Sequence, residues 1–370
     1  MKFDFSFPTR LISGEGCLAK NRALLARGKH AFVVTGRTSA RRAGVLDDLL
    51  PLLEEQGIAY TLFSEITENP PILTCHAGGQ AAHAEGADFV IGIGGGSPLD
   101  AAKAIAAYAA NPGIAPTDIY DPEKRVNPSL PLLAIPTTAG TGSEANAYSV
   151  LTLADGRQKK TFTAPDSWPC ISFLDPRYLT SMPAPMMVSC ALDAFAHAIE
   201  SYLSPKSTVL SEQLALWAAG QIWPILAAEP DAYTAEQREA LLYAATAAGI
   251  AISITGTGFP HPLGYSLTLL DGIPHGRACA VFDGDYITYN SRTEVGAARL
   301  VAFAAAAGTD PDTLARELPR LSAVSFRFTE EEIAERVELI AGAKNYTNSP
   351  YVLSREEIYT IYRSHFAETK

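Results

Sequence analysis

Short apolar runs alternate with longer helical stretches through the first half of the chain. Residues 45–56 and 100–110 are rich in Ala and Leu and favour helices. This alternation is typical of βα units around a largely parallel sheet, and it predicts an α/β N-terminal domain. The best strand candidates are rich in β-branched and aromatic residues: Ala31 to Thr35, Ala59 to Phe63, Phe89 to Gly92 and Leu132 to Ile135.

After about Tyr178 the strand pattern almost disappears and the periodicity becomes helical. The turn-rich segment Asp175-Pro176-Arg177 marks the change, so we predict an α/β domain over residues 1–177 and an all-α domain over residues 178–370. A capping box of Ser354 and Glu357 predicts the start of the last helix. The other predicted helices are Ala184 to Leu203, Ser211 to Ala227, Ala235 to Ser253, Thr293 to Ala307 and Glu330 to Gly342.

Length and charge narrow the range of functions. A chain of 370 residues exceeds the usual size of one hydrophobic core, which favours two domains. Apolar residues make up 47% and charged residues 19%, as in an ordinary globular protein. The formal net charge of −11 argues against a nucleic acid or an anionic membrane as partner. A small-molecule ligand is therefore expected.

The N-terminus and the cysteines indicate the compartment. Residues 1–10 contain no basic region followed by an apolar core, and the five cysteines are scattered without a Cys-x-x-Cys pair. We expect a cytoplasmic protein with reduced, mostly buried cysteines. Residues 240–260 are uncharged and long enough to span a bilayer, but their Ala, Thr, Ser and Gly content predicts a helix packed inside a protein.

Three consecutive glycines, Gly94, Gly95 and Gly96, follow the predicted strand at Phe89. Glycines let the backbone approach a ligand closely, and a helix N-terminus directs N–H groups at a phosphate. Ser97 is predicted as N-cap, with Pro98 at the first helical position and Asp100 three residues after the cap. For the three glycines alone, a tight turn without a ligand is an equal alternative. The sequence is not Gly-x-Gly-x-x-Gly, so the usual argument for a dinucleotide-binding fingerprint does not apply.

A second glycine-rich turn, Ile135-Pro-Thr-Thr-Ala-Gly-Thr-Gly-Ser-Glu144, follows another predicted strand and contains several hydroxyl groups. Open α/β sheets bind their ligands at loops that follow the carboxyl ends of neighbouring strands. Two such loops together favour a dinucleotide site more strongly than either loop alone.

Asp193 and His197 are four residues apart on a predicted helix, so both side chains lie on one face, which Glu200 shares. An isolated pair of this kind is more often a surface hydrogen bond. His261, at the end of the Ala-rich helix, and His275, in Pro274-His-Gly276, change this assessment. One carboxylate and three imidazoles form a nitrogen and oxygen ligand set suited to Fe(II) or Zn(II).

These motifs together resemble the iron-containing (group III) alcohol dehydrogenases. The resemblance runs over nearly the whole chain, and it implies an N-terminal dinucleotide-binding domain and a helical metal-binding domain. By this resemblance the metal ligands are Asp193, His197, His261 and His275. Many relatives carry a proton-relay histidine four residues after the third ligand, where this chain has Tyr265. His261 and Tyr265 are thus the expected catalytic positions.

The resemblance also implies a set of cofactor-binding positions. NAD-preferring relatives tend to carry an aspartate at the position of Gly36, whereas residues 35–44 contain no carboxylate here. Ser39 offers a hydroxyl, and Arg37, Arg41 and Arg42 supply positive charge, although some of these arginines are expected on a solvated helix face. NADP is therefore expected in preference to NAD. The other implied positions are Asn69, Gly94, Gly95, Gly96, Ser97, Asp100, Thr137, Thr138, Thr141, Ser143, Lys160 and, near the nicotinamide, Leu179.

The expected function is hydride transfer between a nicotinamide cofactor and a small alcohol or aldehyde, with Fe(II) or Zn(II) bound and a homodimer as the assembly. Two relatives of the same architecture are alternatives: a zinc-dependent glycerol dehydrogenase and a lyase similar to 3-dehydroquinate synthase. A non-catalytic nucleotide-binding protein is a more remote alternative, because it would make the metal ligand set accidental.

Overall fold

The computed structural model describes residues 3–368 and contains a six-stranded parallel sheet in the N-terminal half. All four predicted strands are present, each extended by one to three residues. A separate antiparallel pair, β6 and β7, follows the fifth strand. The strands are β1 (Arg10–Ser13), β2 (His30–Gly36), β3 (Ala59–Ile66), β4 (Phe89–Gly94), β5 (Leu132–Pro136), β6 (Ser149–Thr152), β7 (Lys159–Phe162) and β8 (Ile171–Leu174).

The strand order is β1-β8-β5-β4-β2-β3, and each neighbouring pair is parallel. Side chains alternate between the two faces, so Phe32 and Val34 lie in one apolar cluster while Ala31 and Val33 lie in the other. All four are fully buried. A parallel sheet covered on both faces explains why its central strands are continuous apolar runs in the sequence.

Five helices accompany the sheet: α1 (Cys17–Lys20), α2 (Ser39–Arg42), α3 (Val45–Glu55), α4 (Ile72–Ala84) and α5 (Gly96–Ala110). The prediction that Ser97 caps α5 is wrong, because the helix begins at Gly96 with Gly95 as its N-cap. Ser97 Oγ instead accepts a hydrogen bond from Asn69 N at 3.1 Å. Pro98 still fits the first turn, where helix N–H groups have no intrahelical partner.

The remaining described elements are helical, which confirms the predicted all-α C-terminal half. Every residue of α6 from Ala191 to Leu203 is buried, so this helix forms the centre of the helical unit. Ser354 and Glu357 form the predicted capping box of α15. The helices are α6 (Ala184–Leu203), α7 (Val209–Ala228), α8 (Ala235–Thr255), α9 (Pro260–Leu270), α10 (His275–Ala280), α11 (Asp283–Asn290), α12 (Glu294–Ala307), α13 (Pro311–Ser322), α14 (Glu330–Ile340) and α15 (Arg355–Phe366).

The chain divides into two compact units. Among the described residues, one unit contains 6–183 with 233–249, and the other contains 3–5, 184–232 and 250–368. The first turns of α8 thus pack with the sheet, where Thr246 Oγ1 donates to Glu144 Oε1 at 2.6 Å. The boundary at residue 177 stays a prediction.

The apolar stretch 240–260 contains the end of α8, whose Leu241, Ala245, Ala248 and Ile252 are buried. Within residues 3–368 no single helix is long and apolar enough to cross a membrane. Taken together, α8 and α9 are long and apolar enough, but the two helices are bent by 114° at the break between them. The five cysteines, all inside this range, form no disulfide.

Candidate active site

The helical unit brings the four predicted metal ligands together around one carboxylate oxygen. Oδ1 of Asp193 lies 3.8 Å from Nε2 of His197, 3.8 Å from Nε2 of His261 and 3.9 Å from Nε2 of His275. Asp193, His197 and His261 are each at most 5% exposed, while the His275 side chain is 28% exposed. The Asp193 and His197 pair is therefore not a surface hydrogen bond.

The spacing of these four groups fits a divalent cation. Oδ1 of Asp193 is buried, and within residues 3–368 it makes no hydrogen bond. Tetrahedral ligands at about 2.0–2.2 Å from a zinc ion lie about 3.3–3.6 Å apart, slightly closer than the separations seen here. A buried carboxylate oxygen that lacks a hydrogen bond is costly, and a cation among the three imidazoles would remove that cost. The residues present thus fit Fe(II) or Zn(II).

Glycines on α9 and α10 allow the helices to approach closely enough to form this group. A Cβ at Gly276 would lie 1.8 Å from Ser189 O on α6, and one at Gly264 would lie 2.8 Å from Ala278 O on α10. The Pro-His-Gly motif therefore needs its glycine because α10 packs directly on α6. This contact sets His275 beside Asp193.

Glu200 orients one of the imidazoles. Its carboxyl group is fully buried, accepts a hydrogen bond from Gly258 N at 2.5 Å and is hydrogen-bonded to His261 Nδ1 at 2.8 Å. When Nδ1 donates to Glu200, Nε2 of His261 is left with a lone pair that can bind a metal ion. Burial raises the pKa of Glu200 to about 8, and the nearby His197 opposes that rise.

His261 is not at the end of the Ala-rich helix, as the sequence suggested, because α8 ends at Thr255 and a new helix begins at Pro260. His261 thus lies in the first turn of α9, and Tyr265 follows one turn later. The Tyr265 ring stacks on His275 with 5.9 Å between the ring centroids. His275 Nδ1 also lies 3.4 Å from Thr268 Oγ1.

Two residues near the predicted metal ligands were not identified from the sequence. Cys279 is fully buried one turn after His275, and its Sγ belongs to one compact group with Asp193, His261 and His275. Asp283 is also fully buried, and neither of its carboxyl oxygens makes a hydrogen bond within the described residues. Burial, with Glu200 and Asp193 nearby, raises the pKa of Asp283 well above its usual range. The i, i+4 spacing of His275 and Cys279 was the only available sequence signal.

In the sheet unit, the predicted cofactor loops follow β2, β4 and β5, which are consecutive in the sheet. A Cβ at Gly95 would lie 3.0 Å from the Thr138 side chain, and one at Gly96 would lie 2.6 Å from Thr141. Thr137 N donates to Gly94 O at 2.9 Å. The two glycine-rich loops are therefore in contact, and both lie at the carboxyl edge where α/β sheets bind ligands.

Some predicted cofactor-binding residues form hydrogen bonds with other residues of the protein. Asp100 accepts hydrogen bonds from Ser143 Oγ at 2.6 Å and from Val150 N at 2.9 Å. The fully buried Lys103 donates to Ser143 Oγ at 2.7 Å and to Tyr148 O at 2.7 Å. Burial lowers the pKa of Lys103 to about 8, opposed by Asp100 and Glu144. This network holds the second loop against α5.

The other predicted positions lie at several places in the sheet unit. Gly36 ends β2, and a Cβ there would lie 3.0 Å from Ser39 Oγ. Asn69 has a left-handed backbone with φ of 53° and lies next to Ser97. Lys160 lies on β7 with its ammonium 4.2 Å from the centroid of the Tyr120 ring. Leu179 is fully buried.

A doubly wound sheet with contacting glycine-rich loops and a helical unit with a carboxylate and three imidazoles define a metal-dependent, nucleotide-using oxidoreductase. The chain belongs to the iron-containing alcohol dehydrogenase family: the profile described as "Iron-containing alcohol dehydrogenase" matches residues 8–176, and that of the "Fe-containing alcohol dehydrogenase family, C-terminal" matches residues 187–366. It is an enzyme that acts on alcohols or aldehydes. This membership separates it from the lyase-like and the non-catalytic alternatives.

Individual relatives cover most of the chain. "Alcohol dehydrogenase 4" of Schizosaccharomyces pombe is 30% identical over 321 residues, which cover 86% of this chain and 76% of that protein. "NADPH-dependent butanol dehydrogenase" of Clostridium saccharobutylicum is 28% identical over 377 residues, with coverages of 97% and 96%. The crystal structure of an iron-containing alcohol dehydrogenase from Thermotoga maritima is 36% identical, with a TM-score of 0.91 and 99% coverage of both chains.

Proposed function

We propose that this enzyme transfers hydride reversibly between NADP(H) and a small primary alcohol or aldehyde, with a divalent ion held by Asp193, His197, His261 and His275. The observation that supports the ligand set best is the buried Asp193 Oδ1, which lies 3.8 to 3.9 Å from three imidazole nitrogens. Iron is the metal that the family name implies, and zinc suits the same donors.

A bound Fe(II) or Zn(II) ion supplies a Lewis acid that polarises the alcohol or aldehyde oxygen. Other residues of the chain hold the ligand side chains in position for this ion. Glu200 fixes the orientation of His261, and Gly276 fixes the position of His275. The Tyr265 hydroxyl is the proposed group through which the alcohol proton leaves, since its ring stacks on His275.

The preference for NADP(H) rests on the loop after β2. Gly36 places no side chain there, and the side chains of Ser39, Arg37, Arg41 and Arg42 are exposed at the carboxyl end of this strand. A carboxylate at this place would accept hydrogen bonds from the adenosine ribose and would repel a 2′-phosphate, whereas arginine pairs with that phosphate. The name of the NADPH-dependent butanol dehydrogenase relative agrees with this proposal.

Steady-state kinetics with both cofactors test the proposal. We expect net oxidation of NADPH with a short aliphatic aldehyde and a kcat/KM that is higher for NADPH than for NADH. Gly36→Asp should reverse or strongly reduce this ratio, while Gly36→Asn, a control of equal size without charge, should change it much less. A native enzyme with the higher kcat/KM for NADH would refute the cofactor preference, and no turnover of any aldehyde or diol in a screen would refute the proposed reaction.

We also propose that the enzyme works as a cytoplasmic homodimer. The absence of disulfides among its five cysteines suits a reducing compartment. β1 is an edge strand of the sheet, and an edge strand offers backbone groups to a second copy. Light scattering after gel filtration should give twice the chain mass of 39.4 kDa, and a mass equal to one chain would contradict the dimer.

A further inference from the structure

Cys279 lies within ligand distance of the same centre. Its Sγ is 3.7 Å from Nε2 and 3.8 Å from Nδ1 of His275, and it forms one group with Asp193, His261 and His275 in which all ligand atoms lie within 4.8 Å of one another. His197 is not part of this group. The group that contains the sulfur therefore includes three of the four ligands that the sequence predicts.

The separation between sulfur and nitrogen has the size that a shared ion requires. A nitrogen at about 2.1 Å and a sulfur at about 2.3 Å from one ion lie about 3.6 Å apart when the angle between the bonds is tetrahedral. The observed distance from Sγ to His275 Nε2 is 3.7 Å. Helix geometry accounts for this, because residues four apart on α10 lie on one face.

A second, independent feature indicates a ligand here. Asp193 is 3% exposed, and its Oδ1 makes no hydrogen bond within the described part of the chain. Cys279 belongs to one compact group with a carboxylate oxygen of Asp193 and is itself fully buried. An ion beside the carboxylate therefore lies within reach of the sulfur.

We propose that Cys279 is an additional metal ligand, and that its sulfur makes the site favour thiophilic ions over oxygen-preferring ones. Thiolate ligands select soft or borderline ions such as Zn(II), Co(II) and Cd(II), whereas Mn(II) prefers oxygen. This inference rests on the proposed metal site. The experiment must therefore distinguish failure of the sulfur ligand from failure of the metal site itself. A thiol that only donates a hydrogen bond to His275 is the competing explanation.

Cobalt substitution distinguishes the two explanations. Chelator-treated enzyme loaded with one equivalent of Co(II) should show weak visible ligand-field bands and, in addition, a strong near-ultraviolet band from sulfur-to-cobalt charge transfer. Cys279→Ser and Cys279→Ala should lose the strong band but keep the visible bands. Cys190→Ser, on the Asp193 helix but outside the ligand group, should keep both.

Each result has one interpretation. Bound cobalt without the charge-transfer band in the native chain, or a band that persists in both Cys279 variants, would overturn the sulfur ligand while the metal site stands. Failure to bind cobalt at all would overturn the proposed metal site. As a second measurement, Cys279→Ser should weaken Cd(II) binding by about tenfold or more, with Mn(II) binding nearly unchanged. Equal losses for both ions would contradict a sulfur ligand.

Discussion

Asp283 has a carboxyl group in an environment that opposes its ionisation. The side chain is fully buried in α11, its two oxygens make no hydrogen bond within residues 3–368, and the acidic residues Glu200 and Asp193 are near. Burial therefore raises its pKa well above the usual value, so the folded protein holds this proton more tightly than the unfolded chain does.

The raised pKa determines how stability depends on pH. The contribution of Asp283 is most favourable below its unfolded pKa of about 3.9, and it declines as the pH rises from there towards the folded pKa. Asp283→Asn removes this dependence. In the metal-free protein we expect it to raise the free energy of unfolding at pH 7 and to have little effect near pH 4.

Urea unfolding at several pH values measures this effect. Asp285→Asn is the matched control, because Asp285 accepts a hydrogen bond from His365 at 2.6 Å and its replacement should bring no gain. An Asp283→Asn variant that is less stable than the native chain at pH 7 would mean that Asp283 is ionised and has a stabilising partner.

Tyr265 is the proposed route for the alcohol proton, and its ring lies beside His275. Tyr265→Phe removes only the hydroxyl, so metal content and cofactor affinity should stay near native values. The rate, or its dependence on pH, should change because the proton acceptor is lost. Tyr265→His is the complementary variant, and an unchanged pH profile in Tyr265→Phe would show that the proton leaves by another route.

At this scale the sequence indicated the proposed metal ligands but not the residues that surround them. Asp193 and His197 were visible as an i, i+4 pair, and His275 was visible through its Pro-His-Gly motif. Cys279 looked like one of several scattered cysteines, and Asp283 had no neighbour in sequence that marked it as buried. Their importance depends on how α6, α10 and α11 pack, which local spacing does not encode.

Among the helices, the contact between α6 and α10 is the one on which the proposed metal site depends most. A Cβ at Gly276 would lie 1.8 Å from Ser189 O and 2.8 Å from Asp193 N, both of them backbone atoms that cannot rotate away. We therefore expect Gly276→Ala to separate the two helices, to lower the free energy of unfolding by about 1–3 kcal/mol and to weaken metal binding.

Chemical denaturation and chelator competition measure the two effects of Gly276→Ala. Gly342→Ala is a suitable control, since a Cβ at Gly342 meets nothing within 4 Å. Native metal affinity in Gly276→Ala would show that the position of His275 does not depend on this contact.

The sequence predicted the elements well where the pattern was long or fully buried. α6 begins and ends at the predicted residues, and β4 and β5 are buried apolar runs. Short, partly exposed strands such as β1 were missed because four residues give too little periodicity. The start of α5 was placed too late, since Gly96 adopts helical geometry although a serine that could serve as a cap follows it.

At the scale of the whole molecule, each compact unit contains the residues for one part of the proposed chemistry. The sheet unit contains the glycine-rich loops at the carboxyl ends of β4 and β5, and the helical unit contains the carboxylate and imidazole cluster. The two kinds of site follow from two kinds of element: parallel strands align their loops at one edge, and packed helices hold side chains from distant positions in a fixed arrangement.

Metal analysis of the purified enzyme tests the central claim most directly. The native chain reconstituted with Fe(II) or Zn(II) should retain one tightly bound ion per chain after gel filtration. His261→Ala and His275→Ala should lose most of that metal while their circular dichroism spectra stay native. If both variants retain a full equivalent, these residues do not hold the ion and the proposed site is wrong.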